Sequence, residues 1–153
     1  MRMKFYFAQF KHNRSNKLLY KFGITKHMNA IKRFSKSESI KYGNDPNQYA
    51  DFTIKILASI PCKSGKEAHA LEKKFLEHFN KKPHVESYFG IKKAKYQKMS
   101  GITELRQLTY KQVGECFDMI LAATPKHVLA KKKMWSNFYK KARENNENSK
   151  NNN

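Results

Sequence analysis

Three stretches of the chain carry the apolar patterns that are typical of β-strands. Residues 3–10 are rich in Phe and Tyr, and residues 18–25 and 52–60 alternate apolar side chains with others. The polar residues 12–16 between the first two stretches predict the turn of a β-hairpin. Pro61 predicts the end of the third strand, because proline cannot donate a backbone hydrogen bond.

Alternation assigns each strand two faces. In the second strand it separates the apolar Leu18, Tyr20, Phe22 and Ile24 from Leu19, Lys21, Gly23 and Thr25. In the third strand it places Phe52, Ile54, Ile56, Ala58 and Ile60 on one face and Thr53, Lys55 and Ser59 on the other. The Lys21 and Gly23 face therefore offers charge and space near a strand end.

The clearest helix signal lies at residues 64–80. Ser64 followed by Glu67 is typical of a helix N-terminus, since both side chains can bond to free backbone N–H groups. An apolar stripe follows at helical spacing, formed by Ala68, Leu71, Phe75, Leu76 and Phe79. Glu72 falls inside this stripe, where a carboxylate is costly unless a cation, a metal or hydrogen-bond donors meet it.

Weaker patterns predict further helices at residues 28–41, 103–106 and 110–122. Residues 42–50 read as a loop, and residues 85–102 as a loop containing a short helix or strand. The predicted fold is α+β: a small, three-stranded, mainly antiparallel sheet flanked by helices in the order β-β-α-β-α. A helical basic extension at residues 110–144 and a disordered Asn-rich tail at residues 145–153 are expected to follow a domain at residues 1–109.

Composition points to a polyanionic partner. The 153 residues carry 32 Lys and Arg against 12 Asp and Glu, a net charge of +20. DNA, most simply double-stranded, is the expected partner; no membrane association or obligate protein partner is inferred. Cys62 and Cys116 lie far apart without metal-ligand spacing, and the N-terminus lacks the pattern of a signal peptide, so an intracellular location is expected, in the cytoplasm or with DNA in a nucleus or nucleoid.

The order of motifs resembles the GIY-YIG nuclease superfamily, in the branch that has KIG-x-T in place of the YIG motif. Tyr6 lies on the first strand, residues 21–25 read KFGIT, Arg33 follows on the first predicted helix, and Glu72 lies on the helix after the third strand. Residues 101–104, GITE, are similar to the G-x-T-E segment that closes the domain in that branch. The resemblance covers roughly residues 3–108.

The resemblance implies metal-dependent hydrolysis of DNA phosphodiester bonds. By position, Tyr6 matches the first tyrosine, Arg33 the phosphate-binding arginine and Glu72 the ligand of one Mg²⁺ or Mn²⁺ ion. Lys21 replaces the second tyrosine, so either Tyr6 or Lys21 is the expected general base, and Lys21 could instead hold phosphate. The longer spacing from Gly23 to Arg33 leaves Lys32 as a possible exchange. Gly23 and Thr25 are expected to line the substrate site.

Beyond residue 125 the chain becomes strongly basic and aromatic. Lys131, Lys132 and Lys133 are expected to bind phosphates, and Trp135 to pack on the domain or stack on a base. Two other functions compete with the endonuclease: a catalytically inactive DNA-binding module on the same fold, and a basic RNA-binding protein. For Glu72 itself, a structural ion pair is the alternative to metal binding.

Overall fold

The computed structural model describes residues 2–83 and 99–129, together with Lys141 and Glu144. The strands are β1 (Met3–His12), β2 (Leu18–Thr25), β3 (Phe52–Cys62) and β4 (Leu105–Arg106). The α-helices are α1 (Lys36–Lys41), α2 (Gly65–His78), α3 (Tyr110–Ala123) and α4 (Lys126–Leu129), and 3-10 helices form at Ala30–Phe34 and Ile102–Glu104. The chain divides into two compact units, Met1–Gln107 and a second that begins at Leu108.

An antiparallel sheet of four strands, in the order β3-β1-β2-β4, forms the centre of the first unit. The α+β class is confirmed, but the prediction of three strands was wrong. The missed strand is β4, which pairs Leu105 with Lys21 and Arg106 with Tyr20. Residues 103–106 had been predicted as helix, and only the 3-10 turn before β4 is helical. A strand of two residues is too short to show alternation.

Aromatic side chains fill the layer between one sheet face and α2. Phe5 and Phe22 both contact Phe75, with ring centroids 4.7 Å and 5.2 Å apart. Phe22 also stacks on Phe79 at the end of the helix, at 5.7 Å. This packing fixes the rotation of α2 against the sheet, and so decides which way its other side chains point.

The opposite face of the sheet packs against the 3-10 helix Ala30–Phe34 and the loop that follows α1. Phe34 contacts Tyr6 edge to face at 5.7 Å and Phe10 at 5.2 Å, and Tyr49 closes the cluster against Phe34 at 5.2 Å. One helix had been predicted over residues 28–41. It is instead divided at Ser35, whose side chain accepts a hydrogen bond from Glu38 N–H and so starts α1 anew.

Two features of β3 differ from the predicted strand. The pairing with β1 shifts between Phe7 and Ala8, because Phe7 faces Ala58 while Ala8 faces Ile56. This bulge leaves Leu57 unpaired and places Ala58 on the opposite sheet face from Ile56, so the single apolar face predicted for residues 52–60 was wrong. The strand also continues through Pro61, which an edge strand tolerates because its outer side needs no donor.

The second unit contains α3 and α4. Thr109 and Gln112 form a complete capping box at the start of α3, which confirms the helix predicted at residues 110–122. Val113, Cys116, Phe117 and Ile120 are buried. The predicted tail at residues 145–153 lies outside the described residues.

Candidate active site

Tyr6 lies over a glycine that leaves room for its ring. Tyr6 on β1 pairs with Gly23 on β2, and a Cβ atom at Gly23 would lie 2.4 Å from the Tyr6 hydroxyl oxygen. No side chain larger than hydrogen fits there without moving the phenol. The ring is almost completely buried, and its edge-to-face contact with Phe34 holds it on this sheet face.

Lys21 lies on the same face and forms an ion pair. Its ammonium donates to the Glu104 carboxylate, and only 3% of the lysine is exposed whereas 38% of the Glu104 side chain is. Gly101 makes this approach possible, because a Cβ atom there would lie 2.7 Å from Lys21 Nζ. Gly101 also has φ of 81°, a left-handed conformation that favours glycine. The lysine is therefore buried, and its carboxylate partner faces solvent.

The segment that carries Gly101 is attached to the loop after α1. Ser100 N–H donates to the Gln48 side chain at 2.9 Å, and the Tyr49 hydroxyl donates to the Ser100 carbonyl at 3.0 Å. Arg33 donates from Nη2 to Ser100 Oγ at 3.2 Å. Three hydrogen bonds from distant parts of the chain thus fix the position of residues 100–104, and with it the carboxylate of Glu104.

Arg33 is half-buried at the end of the 3-10 helix Ala30–Phe34. The neighbouring Phe34 anchors that helix in the core, and the Arg33 guanidinium lies 5.9 Å from the Phe34 ring centroid. Since Ser100 engages only one nitrogen of the guanidinium through the bond described above, its other donors can serve a phosphate. Its charge also reaches Tyr6, where it lowers the phenol pKa.

Glu72 is half-buried on α2, as the apolar stripe predicted. The helix begins as expected at Ser64, whose side chain accepts from Glu67 N–H, although the Glu67 carboxylate accepts from Lys63 N–H and not from Ser64. Burial, and secondarily the charge of Glu104, raise the pKa of Glu72, while Lys21 and His69 lower it. Among the described residues, Glu72 has no ion-pair partner within 4.0 Å.

The hydroxyl of Tyr6 is held in its protonated form. Burial is the largest cause that raises the pKa of Tyr6 above its ordinary value, and the charges of Glu104 and Glu72 add to the rise against the opposing effect of Arg33. A phenol in this state donates a hydrogen bond readily but is a poor proton acceptor.

Electrostatic interactions therefore connect the four residues predicted to be catalytic. The charges of Arg33 and Glu72 shift the pKa of Tyr6, and the charge of Lys21 shifts the pKa of Glu72. Of the residues predicted to bind substrate, Gly23 lies beneath Tyr6, whereas Thr25 is buried and its hydroxyl accepts from His27 N–H. Lys32 is exposed on the 3-10 helix Ala30–Phe34. Lys131, Lys132, Lys133 and Trp135 lie outside the described residues.

The sequence did not single out two charged residues of this region as site residues. Glu104 had been noticed only as part of the GITE segment, because its pairing with Lys21 joins residues 83 positions apart. Arg106 is buried and donates to the carbonyls of Phe79, Thr103 and Leu105. Arg106 is one of 32 basic residues, and nothing in the sequence indicated that it connects the end of α2 to β4.

The described part of the chain contains no group of three or more His, Cys, Asp or Glu side chains that could hold a metal ion. Mg²⁺ does not require such a group, because it retains several waters and commonly takes one or two carboxylates together with substrate phosphate oxygens. Glu72, without an ion-pair partner in the described chain and under the influence of Glu104, fits that donor set.

Comparison of the chain with protein-family models, with curated proteins and with solved structures finds no match. In the described residues, no helix has both the length and the apolar character needed to cross a membrane.

Proposed function

We propose that this chain is a GIY-YIG-like endonuclease that hydrolyses DNA phosphodiester bonds with Mg²⁺ or Mn²⁺. The observation that carries the proposal is Glu72: a half-buried carboxylate without an ion-pair partner in the described chain, within electrostatic reach of Glu104, Tyr6 and Lys21. A structural ion pair, the alternative for Glu72, would need a cation in contact with it, and the described cation nearest in effect, Lys21, is bound to Glu104.

Glu72 would hold the metal ion, with waters and phosphate oxygens completing its shell. When bound, the ion supplies polarisation of the phosphate and stabilisation of the leaving oxygen. Arg33 binds a non-bridging phosphate oxygen and neutralises the charge that develops as water attacks the phosphorus atom. Tyr6 donates its hydrogen bond to the phosphate or to the attacking water.

Glu104 is the group in this site that can accept the proton of the attacking water. Tyr6 is a poor acceptor because burial keeps its phenol protonated, and Lys21 Nζ is already engaged by Glu104. The Glu104 carboxylate is partly exposed, so water can reach it. Lys21 then orients the carboxylate and contributes positive charge near the phosphate.

The test is nicking of supercoiled plasmid DNA by purified protein in Mg²⁺ or Mn²⁺. Wild type and Glu77→Ala, a substitution on the exposed side of α2, should nick at equal rates, and Glu72→Ala should lose at least about 100-fold, as expected for a metal ligand. Equal nicking by wild type and Glu72→Ala would refute the metal assignment. Salt-sensitive DNA binding without any nicking would identify an inactive DNA-binding module, and a preference for RNA over DNA would favour the RNA-binding alternative.

A further inference from the structure

A cationic pocket lies beside Arg33. It has a volume of about 480 Å³ and is lined by Lys26, Arg33 and Lys41 among its charged residues. Its carboxylate, from Glu38, already has a partner, because His27 Nε2 lies 3.0 Å from Glu38 Oε1. The pocket therefore presents three cations to a ligand, with its acidic group engaged.

One aromatic residue gives this pocket a surface for a flat group. Tyr42 lines the pocket with 65% of its surface exposed, and Lys41 Nζ lies 5.6 Å from the centre of its ring. The end of α1 fixes the backbone here, because Tyr42 N–H donates to Glu38 O and Gly43 N–H donates to Ile40 O. Because the backbone is already fixed, stacking of a base on this ring has to order only the tyrosine side chain.

We propose that this pocket binds a single nucleotide of the DNA strand, with its phosphate on the cations and its base against Tyr42. The volume lies within the range that holds small organic ligands. Because Arg33 also belongs to the candidate active site, the bound nucleotide neighbours the phosphate that is cleaved. This inference rests on the proposed endonuclease function. A base can enter the pocket only when it is unpaired, so the enzyme prefers DNA with an unpaired nucleotide at the cleavage site.

The pocket is tested without metal by NMR titration of the full chain with deoxyadenosine 5′-monophosphate and, separately, with inorganic phosphate. The nucleotide should bind at least about fivefold more tightly than phosphate, as a stacking contribution requires, and shift the resonances of Tyr42 and Lys41. Tyr42→Ala should remove this difference while phosphate still binds, and Lys41→Ala should weaken both ligands. Tyr110→Ala and Lys36→Ala, exposed residues outside the pocket, should change neither affinity.

Equal affinities for the two ligands, or shifts confined to residues elsewhere, would overturn the proposal. A second measurement compares nicking of a duplex that carries a one-nucleotide bulge with nicking of the fully paired duplex. Wild type should favour the bulge and Tyr42→Ala should not; equal rates in wild type would also overturn it. Nucleotide binding without nicking of any DNA would reject the endonuclease but not the pocket. Nicking without nucleotide binding would reject the pocket alone.

Discussion

Glu72 is a residue whose charge costs stability to the fold that holds it. Burial raises its pKa, so the folded chain binds the proton more tightly than the unfolded chain does. The resulting stabilisation is complete below the ordinary pKa of a glutamate and is lost as pH rises through the raised pKa. At neutral pH the ionised carboxylate therefore destabilises the fold, and a bound cation would offset this cost.

Glu72→Gln should thus stabilise the protein while it removes metal binding. At pH 7 to 8 we expect Tm to rise by no more than about 4 °C, since the side chain is only half-buried and its cost is reduced by solvent screening. The gain should vanish at pH 4, and Mg²⁺ should raise the Tm of wild type but not of the variant. Glu77→Gln is the control. A lower Tm at neutral pH for Glu72→Gln would show that Glu72 has a stabilising partner.

Tyr6 and Glu104 differ in the proton chemistry that their surroundings allow. Tyr6→Phe removes a hydrogen-bond donor and should lower the nicking rate about tenfold, whereas Glu104→Gln removes the proposed proton acceptor and should lower it by about 10² to 10⁴. Single-turnover rates of the two variants, compared with wild type, separate the two roles. The reverse result would make Tyr6 the base.

The close pairing of β1 with β2 depends on Gly23. In Gly23→Ala the new Cβ atom would overlap the Tyr6 hydroxyl, 2.4 Å away, and the buried ring cannot move aside. We expect a loss of about 1 to 3 kcal/mol in the free energy of unfolding, measured by urea denaturation, as for other overpacked sites. In Gly65→Ala, the matched control, the new atom meets the flexible Met3 side chain at 3.2 Å, so the change should be smaller. Equal effects would contradict this account.

Strand β4 is held in place more by the hydrogen bonds of Arg106 than by its two residue pairs with β2. Arg106 donates to three backbone carbonyls, one of them from Phe79 at the end of α2. Arg106→Met fills a similar volume but leaves these acceptors unsatisfied, so we expect a loss of about 2 to 4 kcal/mol by urea denaturation. Arg14→Met, at an exposed turn position, should change stability little. If Arg106→Met were as stable as wild type, water would have to replace the lost donors.

The elements that the sequence predicted well are those whose signal is local. Alternation predicted strand β2, and an apolar stripe after an N-cap residue predicted helix α2. Both elements lie where they were expected. The missed features depend on tertiary contacts: the Leu57 bulge needs the pairing partner, and β4 exists only because β2 offers an edge. In the same way, the helical stripe was enough to predict Glu72 as a site residue. Glu104 could not be predicted, because its place in the site depends on its ion pair with Lys21, which is distant in sequence.

The whole molecule carries a charge that would draw it to DNA irrespective of the site. With a net charge of +20, much of the affinity should come from phosphate contacts and counterion release. The logarithm of the binding constant should therefore fall linearly with the logarithm of salt concentration. The lysines at 131–133 are the densest basic run in the sequence, and they remain predicted phosphate ligands.

Replacing Lys131, Lys132 and Lys133 together by Ala should weaken binding to double-stranded DNA equally for unrelated sequences. The salt slope should fall by roughly 0.9 for each phosphate contact that is lost, as measured by fluorescence anisotropy between 50 and 200 mM salt. A control variant with Lys36, Lys66 and Lys111 replaced by Ala has the same net charge but takes its lysines from exposed positions on α1, α2 and α3. If the salt slope fell by the same amount in both triple variants, residues 131–133 would contribute to binding only through the net charge of the protein. A larger loss in the first variant assigns direct phosphate contacts to this segment.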